Sequence, residues 1–363
     1  MAVALNRVLA PGRAFASALF HSVLARTDWH NGGPEVLAGT PALSLRVDEV
    51  EQVGTKRRQI MIRRGQRSLS QRTAEQVWAF VFISPWIIGF LVFYAGAMLY
   101  SLGLTLFKTD MLTGFSFVGL GNYATLLHDS YFGIAVRVTT IYALATVPLR
   151  IAFALPIATF LNQPVYARGL LRTVYYLPSV VSGIAVSLLW AWMFQPEFGL
   201  INGALRAVGI QGPRWILSPS WALPSLIIMS LWGVGGSILI YLAGLQSIPT
   251  QLYEAAQIDG AGTWARYLHI TLPMLSPTIF FNLVIDLTGA FQVFTQAFIM
   301  TRGGPANATL TMVLYLYRLS FEQFKFGYAS AVAWALFAII MLCTLLTLRS
   351  SAVWVYYEGQ LRR

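Results

Sequence analysis

Six apolar segments, each long enough to cross a lipid bilayer, constrain this 363-residue chain more than any other feature of its sequence. A helix rises 1.5 Å per residue, so about 20 apolar residues cross a hydrocarbon core of ~30 Å. Inside that core a segment of this length satisfies its backbone polar groups only as a helix. The segments lie at roughly 77–107, 133–162, 169–194, 221–245, 273–300 and 328–357. The sequence therefore predicts an all-α, polytopic membrane protein, with six transmembrane helices in a domain at 77–357.

The composition agrees with a membrane protein and excludes an ordinary soluble one. Only 11% of the residues are charged and 56% are hydrophobic, whereas soluble domains carry about 25% charged residues. Tryptophan and tyrosine also cluster near the ends of the predicted spans, as in the aromatic belts of membrane proteins. The lipid bilayer is therefore the first partner that the sequence predicts.

The positive charge is concentrated before the first span. Residues 1–76 hold 11 of the 25 basic residues and 6 of the 14 acidic ones, and no acid lies between Glu51 and Glu75. A nucleic-acid site would normally place such cations on a soluble fold with interleaved aromatic residues. A basic block directly before a span instead holds that end in the cytoplasm. We predict a largely cytoplasmic, partly disordered extension at 1–76 and no nucleic-acid partner.

The natural start of the chain has two interpretations. Met61 leads directly into the basic block, so it is an alternative start to Met1. Residues 1–27 carry arginines and no acid, as a weak targeting peptide would, but polar residues interrupt their apolar stretch. N-terminal sequencing of the natural protein would decide between the two starts.

The orientation of the predicted spans depends on the N-terminal block. With the N-terminus inside, an even number of spans also places the C-terminus inside. The longer connections are then 246–272 on the cytoplasmic side and 108–132, 195–220 and 301–327 outside. Beyond residue 76 the basic residues divide almost evenly between the two sides, so they do not set the orientation.

The sequence carries no pattern for a catalytic or metal centre. The single cysteine, Cys343, allows neither an intrachain disulfide nor a cysteine metal cluster. The adjacent residues His128, Asp129 and Ser130 cannot face one another as a catalytic triad requires. The chain also lacks a Gly-x-x-x-x-Gly-Lys-Ser/Thr loop, so it has no P-loop for ATP. We expect no catalytic residue, no metal and no cofactor.

The connection between the fourth and fifth spans, at 246–272, is too patterned for a passive link. Helix connections in bundles usually take about 2 to 8 residues. Thr250 is a candidate N-cap for a short helix, which Gly260 would end, and a second short helix from Thr263 would lead to Pro273. The apolar side of the first helix would consist of Tyr253, Ala256 and Ile258. The predicted structure is a helix–turn–helix at the membrane face.

The glycines of this loop also fit a second pattern. Gly260-x-Gly262-x-x-Ala265 has the spacing of a Rossmann fingerprint. That fingerprint must follow a strand, and here a helix is predicted before it. A dinucleotide site is therefore rejected on its context.

The loop resembles the EAA signature of ABC importer permeases. The signature is Glu254-Ala255-Ala256, then Gly260 after three residues, and then Ile270-Thr271-Leu272-Pro273. Four further motifs resemble landmarks of the sugar-type permeases similar to the maltose-transporter family. They are FVGLGNY at 117–123, LAGLQSIP at 242–249, TRGGP at 301–305 and GYASA at 327–331.

The resemblance implies that the loop docks as a coupling helix into an ATPase subunit. The residues expected at this contact are Glu254, Ala255, Ala256, Asp259, Gly260 and Pro273. The small alanines would allow close approach and Gly260 a tight turn, while Glu254 would pair with a basic residue of the ATPase. The alternative is an amphipathic helix that lies at the membrane surface without a partner.

The resemblance also implies the rest of an importer in the cytoplasmic (inner) membrane of a bacterium. The expected partners are a second permease subunit, two ATP-binding subunits and an extracytoplasmic substrate-binding protein. The expected cargo is a sugar-class small molecule, which would cross by alternating access. Monosaccharide, oligosaccharide, polyol and glycerol phosphate all remain open.

Polar residues in the fifth span predict a substrate pathway. They recur at spacings of four, three, three and four, which places them on one face of a helix. These residues are Asn282, Asp286, Gly289, Gln292 and Gln296. A carboxylate inside a bilayer costs roughly 2.5–3.5 kcal/mol or more and therefore usually has a function. Trp232 of the fourth span could add an aromatic surface for a sugar ring. Packing between helices is the alternative for the stripe and for the tryptophan.

Arg150 in the second span departs from the sugar permeases, which usually have an apolar or small residue there. A guanidinium near the membrane centre needs a partner, and Asp286 is one candidate. If the two residues pair, Asp286 is structural and its place in the pathway is weakened.

Two further classes of protein are alternatives to an importer subunit. A proton- or sodium-coupled secondary transporter would more often show internal repeats and would not need the EAA loop. A polytopic membrane enzyme would need a paired base and nucleophile within the spans. Co-purification with an ATPase would separate the importer from both.

Overall fold

The computed structural model describes residues 73–110 and 114–356, and most of them are helical. The chain divides after Ser84 into two units. Residues 1–72, with the choice between Met1 and Met61, lie outside the described residues, as does the tail from residue 357.

Helices of very different lengths follow one another along the described chain. In chain order they are α1 (Thr73–Leu104), α2 (Gly121–His128), α3 (Ser130–Asn162), α4 (Arg168–Val180), α5 (Gly183–Met193), α6 (Leu200–Ala207), α7 (Pro219–Ser230), α8 (Gly235–Gln246), α9 (Thr250–Ile258), α10 (Thr263–Phe291), α11 (Met312–Tyr317) and α12 (Phe326–Trp354). By length and composition α1, α3, α10 and α12 can each cross a membrane. Two bent pairs, α4 with α5 and α7 with α8, pass the same test together.

A small hairpin was missed by the all-α prediction. Strand β1 (Phe107–Thr109) pairs antiparallel with strand β2 (Phe115–Phe117), and Phe107 lies opposite Phe117. Each strand has three residues, which is too short for an alternating pattern to stand out in a sequence.

The third predicted span, 169–194, is not one straight helix. α4 and α5 meet at an angle of 97°, and Val181 between them has an extended backbone, with ψ 141°. Pro178 lies inside the last turn of α4. A proline removes one N–H from the helix ladder and favours an early end to the helix, which explains the break.

The fourth predicted span, 221–245, is also bent. α7 continues as a 3₁₀ turn at Leu231–Gly233, and the helices on either side differ in direction by 47°. Gly233, Gly235 and Gly236 follow one another closely here, and glycine weakens a helix by roughly 1 kcal/mol relative to alanine. The segment 221–245 is apolar throughout, but its glycines weaken the helix near the middle, where the bend lies.

The fifth predicted span, 273–300, is displaced along the chain. α10 begins ten residues earlier, at Thr263, and ends at Phe291. The second helix predicted in the loop does begin at Thr263, but it does not end at Pro273, because its residues form the first turns of α10. A π turn at Tyr267–Thr271 precedes Pro273, which then occupies the first turn of regular α-helix. Because α10 is already helical before Pro273, the proline removes one N–H from the helix ladder, and the π turn lies where the hydrogen-bond pattern changes.

α3 is the central helix of the described fold. It packs against α7, α8, α10 and α11. Two hydrophobic clusters each take residues from it. Ala135, Tyr142, Ala143 and Val147 belong to the first cluster, and Ala154, Leu155, Ala158 and Leu161 to the second. The alanines are fully buried, and they allow the neighbouring helices to approach α3 closely.

α8 and α10 cross closely at Gly244. A Cβ atom at this position would lie 2.6 Å from Thr278 Oγ1 and 2.7 Å from Leu275 Cδ1. Both distances are shorter than van der Waals contact, so a larger residue fits at this crossing only if these two side chains move.

We expect Gly244→Ala to lower the stability of the purified protein by about 1–3 kcal/mol, because the added methyl group overpacks this crossing. The measurement is the thermal unfolding midpoint in detergent. Gly236→Ala, in the same helix, is the matched control, since a Cβ there meets nothing within 4 Å. Equal midpoints for the two variants would contradict the close crossing.

Candidate functional site

The loop with the EAA signature forms a short helix and a tight turn before α10. α9 begins at Thr250, with Pro249 at the N-cap, so Thr250 does not cap it as predicted. Proline supplies the extended backbone that precedes a helix, with ψ 130° at Pro249. Gly260 has φ +77°, a conformation that strains any residue with a side chain.

The loop exposes a mixed acidic and apolar surface. Glu254, Ala255 and Asp259 are exposed, and so is Gly260. Ile258 is 87% exposed, whereas Tyr253 and Ala256, which were predicted to share its apolar side, are half-buried. The exposed apolar residues close to it in the chain are Trp264 and Leu268. Exposed apolar groups beside carboxylates are typical of a protein-binding surface.

The inward side of α9 fixes the loop to α10. Tyr253 and Ala256 are half-buried, and the Tyr253 hydroxyl lies 3.0 Å from Thr271 Oγ1. Pro273 is half-buried within α10, so it does not belong to the exposed surface. The structure thus separates Pro273 from the other residues of the predicted coupling set.

The predicted polar stripe is not one continuous helical face. Asn282 and Asp286 lie in α10 and are buried, with 1% and 9% exposure. Gly289 is exposed in the same helix, but the helix ends at Phe291, and Gln292 is the residue that caps it. Gln296 lies beyond a non-helical break, so the period of 3.6 residues no longer relates it to Asp286.

Arg150 and Asp286 form an ion pair between α3 and α10. The Arg150 Nε atom lies 3.2 Å from Asp286 Oδ1. The same guanidinium donates from Nη1 to the Ser230 carbonyl at 3.4 Å. The candidate pair of the sequence analysis is therefore present, and the pairing weakens the predicted place of Asp286 in the substrate pathway.

Trp232 lies in the 3₁₀ turn at Leu231–Gly233, where the fourth predicted span bends. Its side chain is 50% exposed, and its ring packs edge-on against Trp190 of α5, with centroids 6.0 Å apart. The tryptophan thus lies at the bend of α7 and α8, in contact with one half of the other bent pair.

A cluster around Asp129 was missed by the sequence analysis. Asp129 caps α3, since its Oδ1 accepts from the Tyr131 N–H at 2.9 Å. Its Oδ2 accepts from the Tyr328 hydroxyl at 2.6 Å and from the Tyr315 hydroxyl. These residues join the start of α3 to α11 and to the start of α12. The cap was detectable, because an Asp directly before a long apolar run is an N-cap signal; the two tyrosines, almost 200 positions away, were not.

The Asp129 cluster lines a crevice of about 1570 Å³. Its walls combine tyrosines and phenylalanines with four cations, Lys108, Arg302, Arg318 and Lys325. They also include the carboxylates Asp110, Asp129 and Glu322. Arg318 donates to the Arg302 carbonyl, while Lys108, Arg302 and Lys325 are exposed. This polar, aromatic crevice belongs to the connections predicted to lie outside the membrane.

The hydrogen bonds of the cluster set the charge state of Asp129. Burial alone would raise the pKa of its carboxyl, but hydrogen bonds from Tyr315, Tyr328 and the Tyr131 N–H lower the pKa below its ordinary range. Burial and the bond to Asp129 raise the pKa of Tyr315. Asp129 is therefore ionised and Tyr315 neutral at physiological pH, as their hydrogen bond requires.

We expect the Asp129 cluster to stabilise the fold at neutral pH and to lose this effect in acid. A carboxyl with a lowered pKa stabilises the folded state above its unfolded pKa, and the stabilisation disappears as the pH falls below about 4. The thermal midpoint of the natural protein should therefore drop more between about pH 7 and pH 3 than that of Asp129→Asn. Asp259→Asn, which alters an exposed carboxylate in α9, should keep the natural pH dependence. Parallel curves for Asp129→Asn and the natural protein would contradict this account.

The described residues contain no group of three or more His, Cys, Asp and Glu side chains that could hold a metal. The predicted site residues and the Asp129 cluster lie in three separate places. They comprise an exposed helical loop, an ion pair between helices, and a polar crevice at the far end of α3.

Comparison with known proteins relates this arrangement to one family. Residues 150–353 match the family described as "Binding-protein-dependent transport system inner membrane component". The chain is 43% identical over 286 residues to the probable ABC transporter permease protein YesP of Bacillus subtilis (strain 168). That alignment covers 77% of this chain and 92% of YesP. The chain is 38% identical over 274 residues to the lactose transport system permease protein LacF of Rhizobium radiobacter, covering 73% and 91%.

A solved structure shares the fold. It is a crystal structure of a bacterial alginate ABC transporter in complex with a periplasmic protein that carries an alginate pentasaccharide. The match has a TM-score of 0.66 and 26% sequence identity, and it covers 75% of this chain and 93% of that one. The bent helix pairs of the present chain therefore lie within the fold of a transporter subunit.

Proposed function

The chain belongs to the inner membrane components of binding-protein-dependent transport systems and is a permease of a sugar-type ABC importer, and we propose how its parts carry out transport. Its relatives are transport permeases, which removes the support for a secondary transporter and for a membrane enzyme. The proposal assigns a coupling surface, a docking surface and a cargo path to the residues described above.

The proposed topology has six spans with both termini in the cytoplasm. Each bent pair then counts as one span, because α4 with α5 and α7 with α8 are each long and apolar enough together. The basic block before α1 supports this orientation. Proteolysis of the first 76 residues in inside-out but not in right-side-out vesicles would test it, and the reverse result would contradict it.

α9 and its turn are the proposed coupling surface for an ATPase subunit. The observation that carries this proposal is the exposure of Glu254, Ala255 and Ile258 on α9. The opposite side of this helix is fixed to α10 by the hydrogen bond of Tyr253. An unpartnered surface helix would turn its apolar residues inward, whereas Ile258 points away from the fold. The chain lacks a P-loop, so the ATPase is proposed to be a separate subunit. The resemblance to ABC importer permeases implies two ATP-binding subunits, one on this chain and one on a second permease.

The outer crevice around Asp129 is the proposed docking surface for an extracytoplasmic binding protein. Its exposed Lys108, Arg302 and Lys325 suit acidic side chains of a partner. The tyrosines and phenylalanines of its walls provide the aromatic contacts that protein interfaces favour. The periplasmic protein in the alginate transporter complex supports a partner of this kind.

The proposed cargo path uses the exposed members of the predicted set. Gly289, Gln292 and Trp232 are exposed and Gln296 is half-exposed, so they can meet a sugar-class molecule between this chain and a second permease. Glutamine offers both a donor and an acceptor to hydroxyl groups. Asn282 and Asp286 are buried, so in this proposal they do not contact the cargo.

We expect Glu254→Lys to abolish uptake without removing the protein from the membrane. The reversed charge would repel the basic residue proposed to face it in the ATPase. The measurement is ATP- and binding-protein-dependent sugar uptake by the importer reconstituted in liposomes, together with co-purification of the ATPase.

Glu197→Lys is the matched control, since Glu197 is exposed on a connection predicted to lie on the other side of the membrane. The control should retain the ATPase subunits. Natural uptake by Glu254→Lys would refute the coupling surface, and ATP-independent uptake by the unaltered importer would refute the proposed function as a whole.

We expect Gln292→Leu to raise the KM for sugar by about 3- to 10-fold, because one hydrogen bond to the cargo is lost. The maximal ATPase rate stimulated by the binding protein should stay unchanged, because the loss of a binding contact alone raises the KM without lowering kcat. Gln163→Leu makes the same chemical change at an exposed position after α3 and should leave the KM unaltered. An unchanged KM for Gln292→Leu would remove this residue from the path.

A further inference from the structure

The Arg150 guanidinium connects three helices at one point. It belongs to α3, its Nε faces Asp286 of α10 at 3.2 Å, and its Nη1 reaches the Ser230 carbonyl at the end of α7 at 3.4 Å. Ser230 is the last residue of α7 before the 3₁₀ turn at Leu231–Gly233. The cation therefore contacts the backbone at the position where the α-helical hydrogen-bond pattern changes.

The ion pair is poorly suited to serve stability alone. Asp286 Oδ2 has no hydrogen-bond partner among the described residues, and neither has the buried hydroxyl of Tyr241. A buried ion pair stabilises a protein only when its remaining lone pairs are satisfied, and its replacement by apolar residues is often neutral. The structural use of this pair lies instead in where it holds the guanidinium.

The turn that Arg150 contacts carries Trp232, which is half-exposed and packs on Trp190 of α5. The backbone there is open to movement, because a Cβ on Gly233 or Gly236 would meet nothing within 4 Å. Gly235, in contrast, lies against the Tyr175 carbonyl of α4. The turn is thus held on one side by α4 and at its start by Arg150.

We propose that Arg150 is a positioning residue that holds the bend of the fourth span, and with it Trp232, in the orientation used for transport. Asp286 orients the guanidinium, and the guanidinium holds the Ser230 carbonyl. The contact of Trp232 with cargo rests on the proposed function. The positioning of the bend by Arg150 does not depend on it.

The test removes both charges together, because a single variant would leave the other charge buried and unpaired. The background for labelling carries Cys343→Ala, which removes the chain's one cysteine, and Gly233→Cys, which supplies a thiol in the turn. Arg150→Met and Asp286→Leu are then introduced together into this background. The rate of labelling by a small maleimide and the KM for sugar are measured. Both should rise about tenfold, as expected for the loss of a hydrogen bond from a charged donor.

Arg137→Met is the matched control. Arg137 is an exposed arginine of the same helix, and its removal should change neither quantity. The thermal midpoint of the double variant shows whether it is folded, and the replacement of both residues by apolar ones should preserve it.

The outcomes separate the two levels of the argument. Faster labelling with a higher KM supports the positioning role. Faster labelling with an unchanged KM supports the hold on the bend and overturns only the contact of Trp232 with cargo. An unchanged labelling rate in the folded double variant, or an equal increase in Arg137→Met, overturns the proposal.

Discussion

The need to satisfy every backbone polar group within a bilayer governs this structure. Continuous helices meet most of this need by themselves, and α1, α3, α10 and α12 each run over 29 residues or more, with π turns inside α1 and α10. The fourth predicted span departs from a regular helix, and there a side chain from another helix is aimed at the backbone. Arg150 reaches the Ser230 carbonyl where α7 changes into a 3₁₀ turn. Arg150 thus supplies a hydrogen-bond donor to the backbone at the point where the helix becomes irregular.

The central position of α3 follows from its small residues. Fully buried alanines at 135, 143, 154 and 158 allow α7, α8, α10 and α11 to approach it. The same helix carries Asp129 at its start and Arg150 in its second half. One helix therefore extends from the proposed docking crevice to the bend near Trp232, and it contributes residues to both hydrophobic clusters.

The sequence predicted a largely helical membrane protein and the Arg150–Asp286 candidate pair, because each depends on local pattern or on charge in an apolar setting. The count of six spans and the coupling role of the EAA loop stay predictions. It did not predict the sharp break after Val180 or the bend at Leu231–Gly233, since hydropathy is averaged over a window that hides two or three irregular residues. The extended stripe was wrong for the same reason, as α10 ends before Gln292. The partners of Asp129 depend on contacts between distant parts of the chain, and no single-sequence pattern encodes them.

The early start of α10 at Thr263 has a mechanical consequence. The helix is continuous from Thr263 to Asp286, so about 23 residues, or roughly 35 Å, separate the loop from the ion pair along the helix axis. A rod of that length converts a tilt of about 5° at one end into a shift of about 3 Å at the other. A small rotation at the surface of the membrane is therefore large enough, at the depth of Arg150, to exceed the reach of a hydrogen bond.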